Sequence, residues 1–527
     1  MKTVNNKLRI FLWICVIGLH LGISIYDMGN SKVSGDIMFS YTLANSPYDY
    51  DFIDHMFKHM PNNDGWIDST VLRQDYMVGN YNRFNFSQVY WHQRIDFHPL
   101  LYYSLVHFIC SFFPNTFSIM YAAAVNLLFL LVIDLLFIAY SKKIWKTSIY
   151  AFPMVAMLTL MTLFRQSAVI NFRPYAGFSA LALWYIYIHH CVITEGGWSK
   201  KRLIELMICI VLGTQIHYYF YVFGGLVSLY EVFSLIMKKK YYSAINYCYC
   251  GFMGIMITMI VFPWMLWATV ITGAAEHENL VPWSVSKVLS YLDYMNKAVF
   301  NGRFIAFLMV ILVFVLTSWL TGRKAKDNVN WNVSTNEFLL YNGGIVFTFI
   351  VYSLLIFYLD QTVPTYIAPT YIMGVIVSMW ILKICSERII SNRPLQVFIC
   401  LCAVVIIEGL SILDCMKLTE EEHDEYMAWH NVAVEHSDCA AIYVYNNPDN
   451  LLNNNWIELS LSKKFKIISY DDYMKSAIST NDLNGRGTEG NVLLYVPSSC
   501  EVSVEPDLNT EQLVSFNKVT MYILSEK

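Results

Sequence analysis

A polytopic α-helical membrane protein with a small α/β domain at its C-terminal end is the fold class that this sequence predicts. Three observations predict it. The 527 residues are 56% hydrophobic and only 14% charged, against roughly 25% charged in an ordinary soluble domain. Apolar runs of about 20 residues, the length that crosses a hydrocarbon core as a helix, alternate with short basic clusters. From about residue 416 the chain changes character, becoming polar with short β-like runs. The net charge of -4 says little about partners, and no basic stripe marks a nucleic-acid surface.

The apolar runs place spans at roughly 8–27, 116–140, 147–164, 174–193, 202–216, 217–236, 243–271, 303–321, 337–359, 364–384 and 395–414. That is about eleven helices, since lipid leaves the backbone no partner but its own helix or a closed barrel. The first run follows Lys2, Lys7 and Arg9 but ends in "SIYDMGN", a poor cleavage site. It reads as an uncleaved span with its N-terminus in the cytoplasm. The basic clusters check the count. Lys142, Lys143 and Lys146; Lys200, Lys201 and Arg202; Lys238, Lys239 and Lys240; Arg323, Lys324 and Lys326; and Arg388 with Arg393 all fall on the N-terminal side, as the excess of Lys and Arg in cytoplasmic loops requires.

Segment 98–114 decides the topology. Counted as a crossing, it would put Lys142 and Lys143 outside and invert every later loop. Read as a helix lying along the outer membrane face, it leaves all the basic clusters inside. A large first outer loop, about 28–115, then carries Asp36, Asp49, Asp51, Asp54, Asp64, Asp68, Asp75 and Asp96. Further outer turns are "RQSAVINFR" at 165–173, the turn around "QIHYYF", and 272–302. The tail, about 416–527, is also outside. Its runs "AAIYVYN", "KFKIISY", "NVLLYV" and "KVTMYIL" predict strands of a small α/β domain. It contains no phosphate loop, metal-ligand spacing or nucleophile elbow, and reads as a structural or acceptor-docking cap.

Most of the twelve cysteines lie in apolar runs and pack as small hydrophobes. Cys439 and Cys500 lie in the polar tail, where a disulfide and two free thiols are equally open readings.

Polar residues gather at one membrane level. Asp36 follows the first span in "SGDIMFSYTLANSP". Asp96, His98 and Tyr102 open the interfacial helix in "DFHPLLYY". Arg165, Arg173 and Tyr175 stand in "RQSAVINFRPYAGF", and His217 and Tyr218 in "GTQIHYYF". Each has a plain structural reading: arginines anchor helix ends at headgroups, and His98 before Pro99 caps a helix that proline starts. As a group they offer a carboxylate base and cations suited to a phosphate.

"DFHPLLYY" resembles the Asp/Glu-x-His-Pro-Pro-Leu segment of the GT-C fold glycosyltransferases, which include protein O-mannosyltransferases, aminoarabinose transferases and bacterial relatives. The order of first span, acidic loop, His-Pro helix, "FRPYAGF" and "GTQIHYYF" is similar too, and "TYIAPTYIMG" resembles a segment opening a late span. The likeness is best over roughly 8–240. It implies a GT-C-like membrane module over 1–415, an extracytoplasmic α/β domain over 416–527, and inverting transfer of a sugar from a polyprenyl-phosphate donor to an acceptor at the outer face. Asp36 matches the family's acidic catalytic position. By the same resemblance Asp96, His98, Tyr102, His217 and Tyr218 position donor or acceptor, and Arg173 and Arg165 bind phosphate. Departures are Ile37 where a second acid often stands, Leu100 for the second proline, and Thr365 for an arginine before Tyr366. No cofactor is implied with certainty. A divalent metal, if one is used, falls to Asp36 and Asp96. The partners implied are the lipid-linked donor, membrane lipid and an acceptor that is a glycan, lipid or protein.

The competing expectation is a lipid-linked saccharide flippase or other transporter. It predicts ionisable residues deep in several spans and inverted repeats. Asp134, Glu231 and Glu408 are the main intramembrane acids, only Glu408 is near mid-span, and the halves show no repeat.

Overall fold

The computed structural model describes residues 2–48, 65–96, 98–267, 284–320, 331–358, 366–409, 411–445, 455–475, 478 and 491–527. Asp49, Asp51, Asp54, Asp64, Thr365 and the Arg323, Lys324 and Lys326 cluster lie outside them, as does the side chain of Asp96. The chain divides into two compact units that do not follow sequence order. One holds Met1–Met28, Phe97–Tyr102 and Ala123–Met416; the other holds Gly29–Asp96, Tyr103–Ala122 and Lys417–Lys527. The tail therefore shares a unit with most of residues 28–115, which the sequence reading groups with the membrane module.

The first unit is a helix bundle of a multi-pass membrane protein. Seven described helices are long and apolar enough to cross a membrane: Lys7–Gly29, Met120–Ile144, Tyr175–Glu195, Tyr219–Met237, Tyr241–Val261, Phe338–Tyr358 and Ala368–Ile389. Two further pairs qualify jointly but are bent: Ala151–Leu160 with Thr162–Val169 by 70°, and Val285–Phe300 with Phe304–Leu320 by 65°. Lys200–Ile216 and Arg393–Glu408, at 17 and 16 residues, sit at or below the short end of what spans about 30 Å. Leu100–Cys110 has 11 residues, a rise of about 16 Å, so it cannot cross by itself.

Tyr175–Glu195 and Ala368–Ile389 are the most enclosed helices, with 83% and 72% of their apolar windows buried. Apolar side chains all round suit such central positions. The first helix has the opposite design. Only 17% of its window is buried, yet His20, Ser24 and Asp27 are all sequestered. Their spacing of four and three residues puts them on one face. His20 Nδ1 lies 3.0 Å from both carboxylate oxygens of Asp134, and Asp27 pairs with Arg165. A polar stripe thus docks an otherwise lipid-facing helix.

The bends have a shared cause. Asn301, in the left-handed region at φ 48°, sits at the break between Phe300 and Phe304. Its side chain accepts from the Thr162 backbone N–H at 3.0 Å and donates to the Leu160 carbonyl at 3.0 Å. An inserted amide replaces the helical bonds lost where the Ala151–Leu160 run ends. The expected single span 147–164 is therefore a broken one that continues into a π-helical turn, Arg165–Val169.

The second unit is built on a six-stranded sheet. Its strands are β1 (Ile67–Asp68), β2 (Ala440–Tyr445), β3 (Lys464–Ser469), β4 (Val492–Pro497), β5 (Leu508–Phe516) and β6 (Val519–Glu526), in the order β1-β3-β2-β4-β6-β5. β2 pairs in parallel with β3 and β4, and the other pairings are antiparallel. Ile442, Leu494, Val496 and Leu524 make one apolar face. Trp429, from the helix Ser411–Glu435, packs against Tyr495 and Phe516. First-loop residues join this domain: β1 extends the sheet, Arg73 Nη1 donates to the Ser460 carbonyl at 2.6 Å, and the Tyr76 and Ser460 hydroxyls lie 2.8 Å apart. Cys439 and Cys500 are free thiols.

Asp75 is enclosed in the same unit. Ser46 Oγ donates to its Oδ1 at 2.6 Å, while Oδ2 has no partner among the described residues. Burial pushes its carboxyl up to about 7, with the Ser46 bond opposing the rise. A folded-state value above the unfolded 3.8 means the folded state holds the proton longer, so stability falls as pH rises from about 4 to about 7. The ceiling is roughly 4 kcal/mol. Asp75→Asn keeps an acceptor for Ser46 and removes the charge. Its expected effect is a higher unfolding temperature at pH 8 and little change at pH 4; an unchanged or lower value at pH 8 would refute this account.

Candidate active site

The site residues are best built from His217 outward. It caps the helix Lys200–Ile216 with extended backbone, φ -154° and ψ 135°. Its N–H donates to the Gly213 carbonyl at 3.0 Å. Gly213 is needed there: a Cβ would come within 2.5 Å of the Phe220 ring, which folds back over the turn. The imidazole is stacked on Phe178 at 4.8 Å and 4°, and on Tyr219 at 5.6 Å. Tyr175 and Tyr366 complete the aromatic surround. Phe178 and Tyr175 come from "FRPYAGF", Tyr219 from "HYYF" and Tyr366 from "TYIAPTYIMG". Three scattered motifs therefore meet on one histidine.

The electrostatics fix its protonation. Burial, then the electrostatic effect of nearby His98 and Arg173, lowers the His217 imidazole to about 3. The Tyr219 backbone N–H donates to Nδ1 at 3.2 Å. The ring is therefore neutral at physiological pH and carries its proton on Nε2, which makes it a hydrogen-bond donor without a charge. His98 is half-buried and Arg173 likewise. Tyr218 is also half-buried.

Arg165 and Tyr102 are placed differently. Arg165 is 2% exposed in the π-helical turn. Nε donates to Asp27 Oδ2 at 2.7 Å and Nη2 to Oδ1, a two-point grip. Nη1 has no partner among the described residues. Tyr102 is fully buried, and its hydroxyl donates to Asn126 Oδ1 at 3.2 Å. Asn126 Nδ2 in turn reaches the carbonyls of Ala168, Val169 and Asn171. Tyr102 thus shapes the turn between Arg165 and Arg173 through Asn126.

Asp36 belongs to the second unit. It is exposed in the first turn of the helix Gly35–Asn45, after the extended Ser34. A helix N-terminus favours a carboxylate there. The helix is firmly anchored. The Tyr41 hydroxyl donates to the Ser118 carbonyl at 2.7 Å and accepts from the Ala122 N–H at 3.0 Å. Asn45 bonds the Tyr76 carbonyl and His107. Asp96 ends the helix Phe86–Asp96. Among the described residues no three His, Cys, Asp or Glu side chains come together as a metal cage.

Sequence reasoning missed Asp27, Asn126 and the part played by Phe178 and Tyr366. Asp27 had a signal, the His20–Ser24–Asp27 stripe on an apolar helix. Asn126 had none beyond being an amide inside a span.

A bundle with two broken spans, a short apolar helix in a polar first loop and a terminal sheet domain make this a polytopic membrane protein with a GT-C-like fold. One solved structure that the chain resembles is the crystal structure of ArnT from Cupriavidus metallidurans in the apo state. The TM-score is 0.52 at 10% identity, covering 98% of this chain and 98% of that one. At that identity the likeness shows the fold. No protein-family model matches the chain, and no curated protein matches it.

Proposed function

We propose that the protein is a glycosyltransferase that moves a hexosyl or pentosyl group from a polyprenyl-phosphate donor to an acceptor at the outer face of the membrane, with inversion. The observation that carries this reading is the grouping of Arg173, His98 and His217 in an aromatic surround, on a fold shared with a membrane glycosyltransferase. In this reading the N-terminus is cytoplasmic and the tail domain extracytoplasmic, as the basic clusters require.

The chemistry assigns one task to each group. An acceptor hydroxyl attacks the anomeric carbon from the face opposite the phosphate, and its proton passes to the Asp36 carboxylate. The bond from the anomeric carbon to the phosphate oxygen breaks, and polyprenyl phosphate leaves with the electron pair. Negative charge then grows on the phosphate. Arg173, Arg165 Nη1 and the His217 Nε2–H are the donors that stabilise it. Asp96 and Tyr218 position donor or acceptor. A desolvated neutral donor such as His217 serves here because it needs no proton from solvent.

The test uses purified protein in lipid with radiolabelled polyprenyl-phosphate sugars. Release and transfer of sugar are expected. Arg173→Ala is expected to lower turnover about 10²–10³-fold, the usual cost of removing one such donor. His217→Gln is expected to lower the rate equally across pH 5–8, because an imidazole lowered to about 3 does not titrate there. A basic or acidic limb near pH 6.5 that vanishes in His217→Gln would sink this role. No turnover of any donor, with labelled lipid crossing the bilayer instead, would favour the flippase.

A further inference from the structure

A cavity of about 550 Å³ lies at the end of the bundle that carries the basic clusters. It falls within the roughly 300–1,000 Å³ of small-ligand sites. Its walls are the C-terminal halves of Tyr175–Glu195 and Tyr219–Met237 and the start of the Phe338–Tyr358 span. The helix Tyr175–Glu195 ends there in a Schellman turn. Gly196, at φ +82°, donates to the Ile193 carbonyl, and Gly197 to that of Val192. The floor is a close helix contact: Tyr230 lies over Gly343 and Gly344, where a Cβ would come within 2.5 Å of its hydroxyl and 2.7 Å of its ring respectively.

The charges around it are unevenly committed. Glu195, beside the mouth, is held by Lys143 at 2.7 Å and Arg202 at 2.6 Å. His189 and His190 line the cavity, but each already bonds a tyrosine hydroxyl, Tyr247 at 3.0 Å and Tyr140 at 2.8 Å. That leaves Lys238 and Lys240 as the lining cations, Lys240 Nζ also reaching the Gly196 carbonyl at 3.4 Å, and Glu231 as the lining acid, among the described residues. Glu231 is fixed: Trp198 Nε1 donates to its Oε1 at 2.9 Å. Beyond these charges the wall is apolar, and it continues through Leu339 and Leu340 onto the exposed face of a membrane-spanning helix.

We infer that this cavity binds an aminophospholipid headgroup. The phosphate lies at Lys238 and Lys240, the primary ammonium at Glu231, and the acyl chains leave along Leu339 and Leu340. A purely anionic headgroup would face the Glu231 carboxylate, and basic pockets between spans bind lipid headgroups. A quaternary ammonium would have no N–H to give Glu231. The apolar exit onto the lipid-facing surface commits the occupant to a membrane lipid. The site is independent of the proposed transfer chemistry.

The test offers the full-length protein equal amounts of phosphatidylethanolamine, phosphatidylglycerol and phosphatidylcholine in nanodiscs and counts retained lipid by native mass spectrometry. Wild type is expected to retain phosphatidylethanolamine preferentially. Glu231→Gln keeps an acceptor for Trp198 and is expected to lose that preference over phosphatidylglycerol by about tenfold, one charged hydrogen bond. Lys238→Ala with Lys240→Ala, both on the exposed mouth, is expected to lose both lipids. Equal retention of the three lipids by wild type, or unchanged retention in both variants, would overturn the assignment. Displacement by free phosphoethanolamine at matched concentration would overturn the lipid and point to a soluble ligand.

Discussion

Asp36→Asn is expected to abolish sugar transfer while leaving the protein folded. The substitution changes one exposed side chain in the first turn of Gly35–Asn45. The bonds that hold this helix, from Tyr41 to Ser118 and Ala122 and from Asn45 to Tyr76, are elsewhere on it. The stability cost is therefore small, a few tenths of a kcal/mol for a lost charge at a helix N-terminus. The catalytic cost is large. A positioned base contributes about 10²–10⁴-fold, and an amide cannot take the acceptor proton. Donor binding should survive, because the proposed phosphate donors are untouched. The measurement is transfer from a labelled polyprenyl-phosphate sugar beside donor retention by the same preparation. Full transfer by Asp36→Asn would remove Asp36 from the mechanism. Lost transfer with lost donor binding would make it a binding residue.

Much of the membrane unit was legible because lipid imposes a coarse rule. Helices must be long and apolar, and the Lys and Arg clusters divide their ends. Each expected segment has a helix, and the short Leu100–Cys110 fits the interfacial reading of 98–114. The breaks were not legible, because they depend on Asn301 reaching Leu160 and Thr162, about 140 residues away. In the tail, β2, β3, β4 and β6 were visible as apolar runs. β5 was hidden because it is an edge strand whose middle is exposed and polar, and β1 because two residues carry no pattern. At the site, motif order suggested His98, Arg173 and His217, which the fold does group. It did not suggest Asp27, since a buried carboxylate is explained only by the partner that packing brings to it.

That partner makes Asp27 and Arg165 the second strong prediction. The pair is 1% and 2% exposed, and taking either half away strands a buried charge. Breaking such a pair costs about 3–5 kcal/mol. Asp27→Leu and Arg165→Met, each alone, are therefore expected to lower the temperature at which the purified protein loses its monodisperse peak, and to lower yield. The double variant is expected to recover, because two apolar side chains of similar size replace a desolvated ion pair at little cost. Activity separates structure from chemistry. Asp27 holds Nε and Nη2 and leaves Nη1 over, an arrangement that aims one guanidinium N–H while fixing the rest. If Nη1 meets the donor phosphate, the double variant is stable but slow by about 10²-fold, with the shortfall in kcat. A double variant that regains both stability and turnover would confine the pair to docking the first helix, and would leave Arg173 and His217 as the phosphate-facing donors.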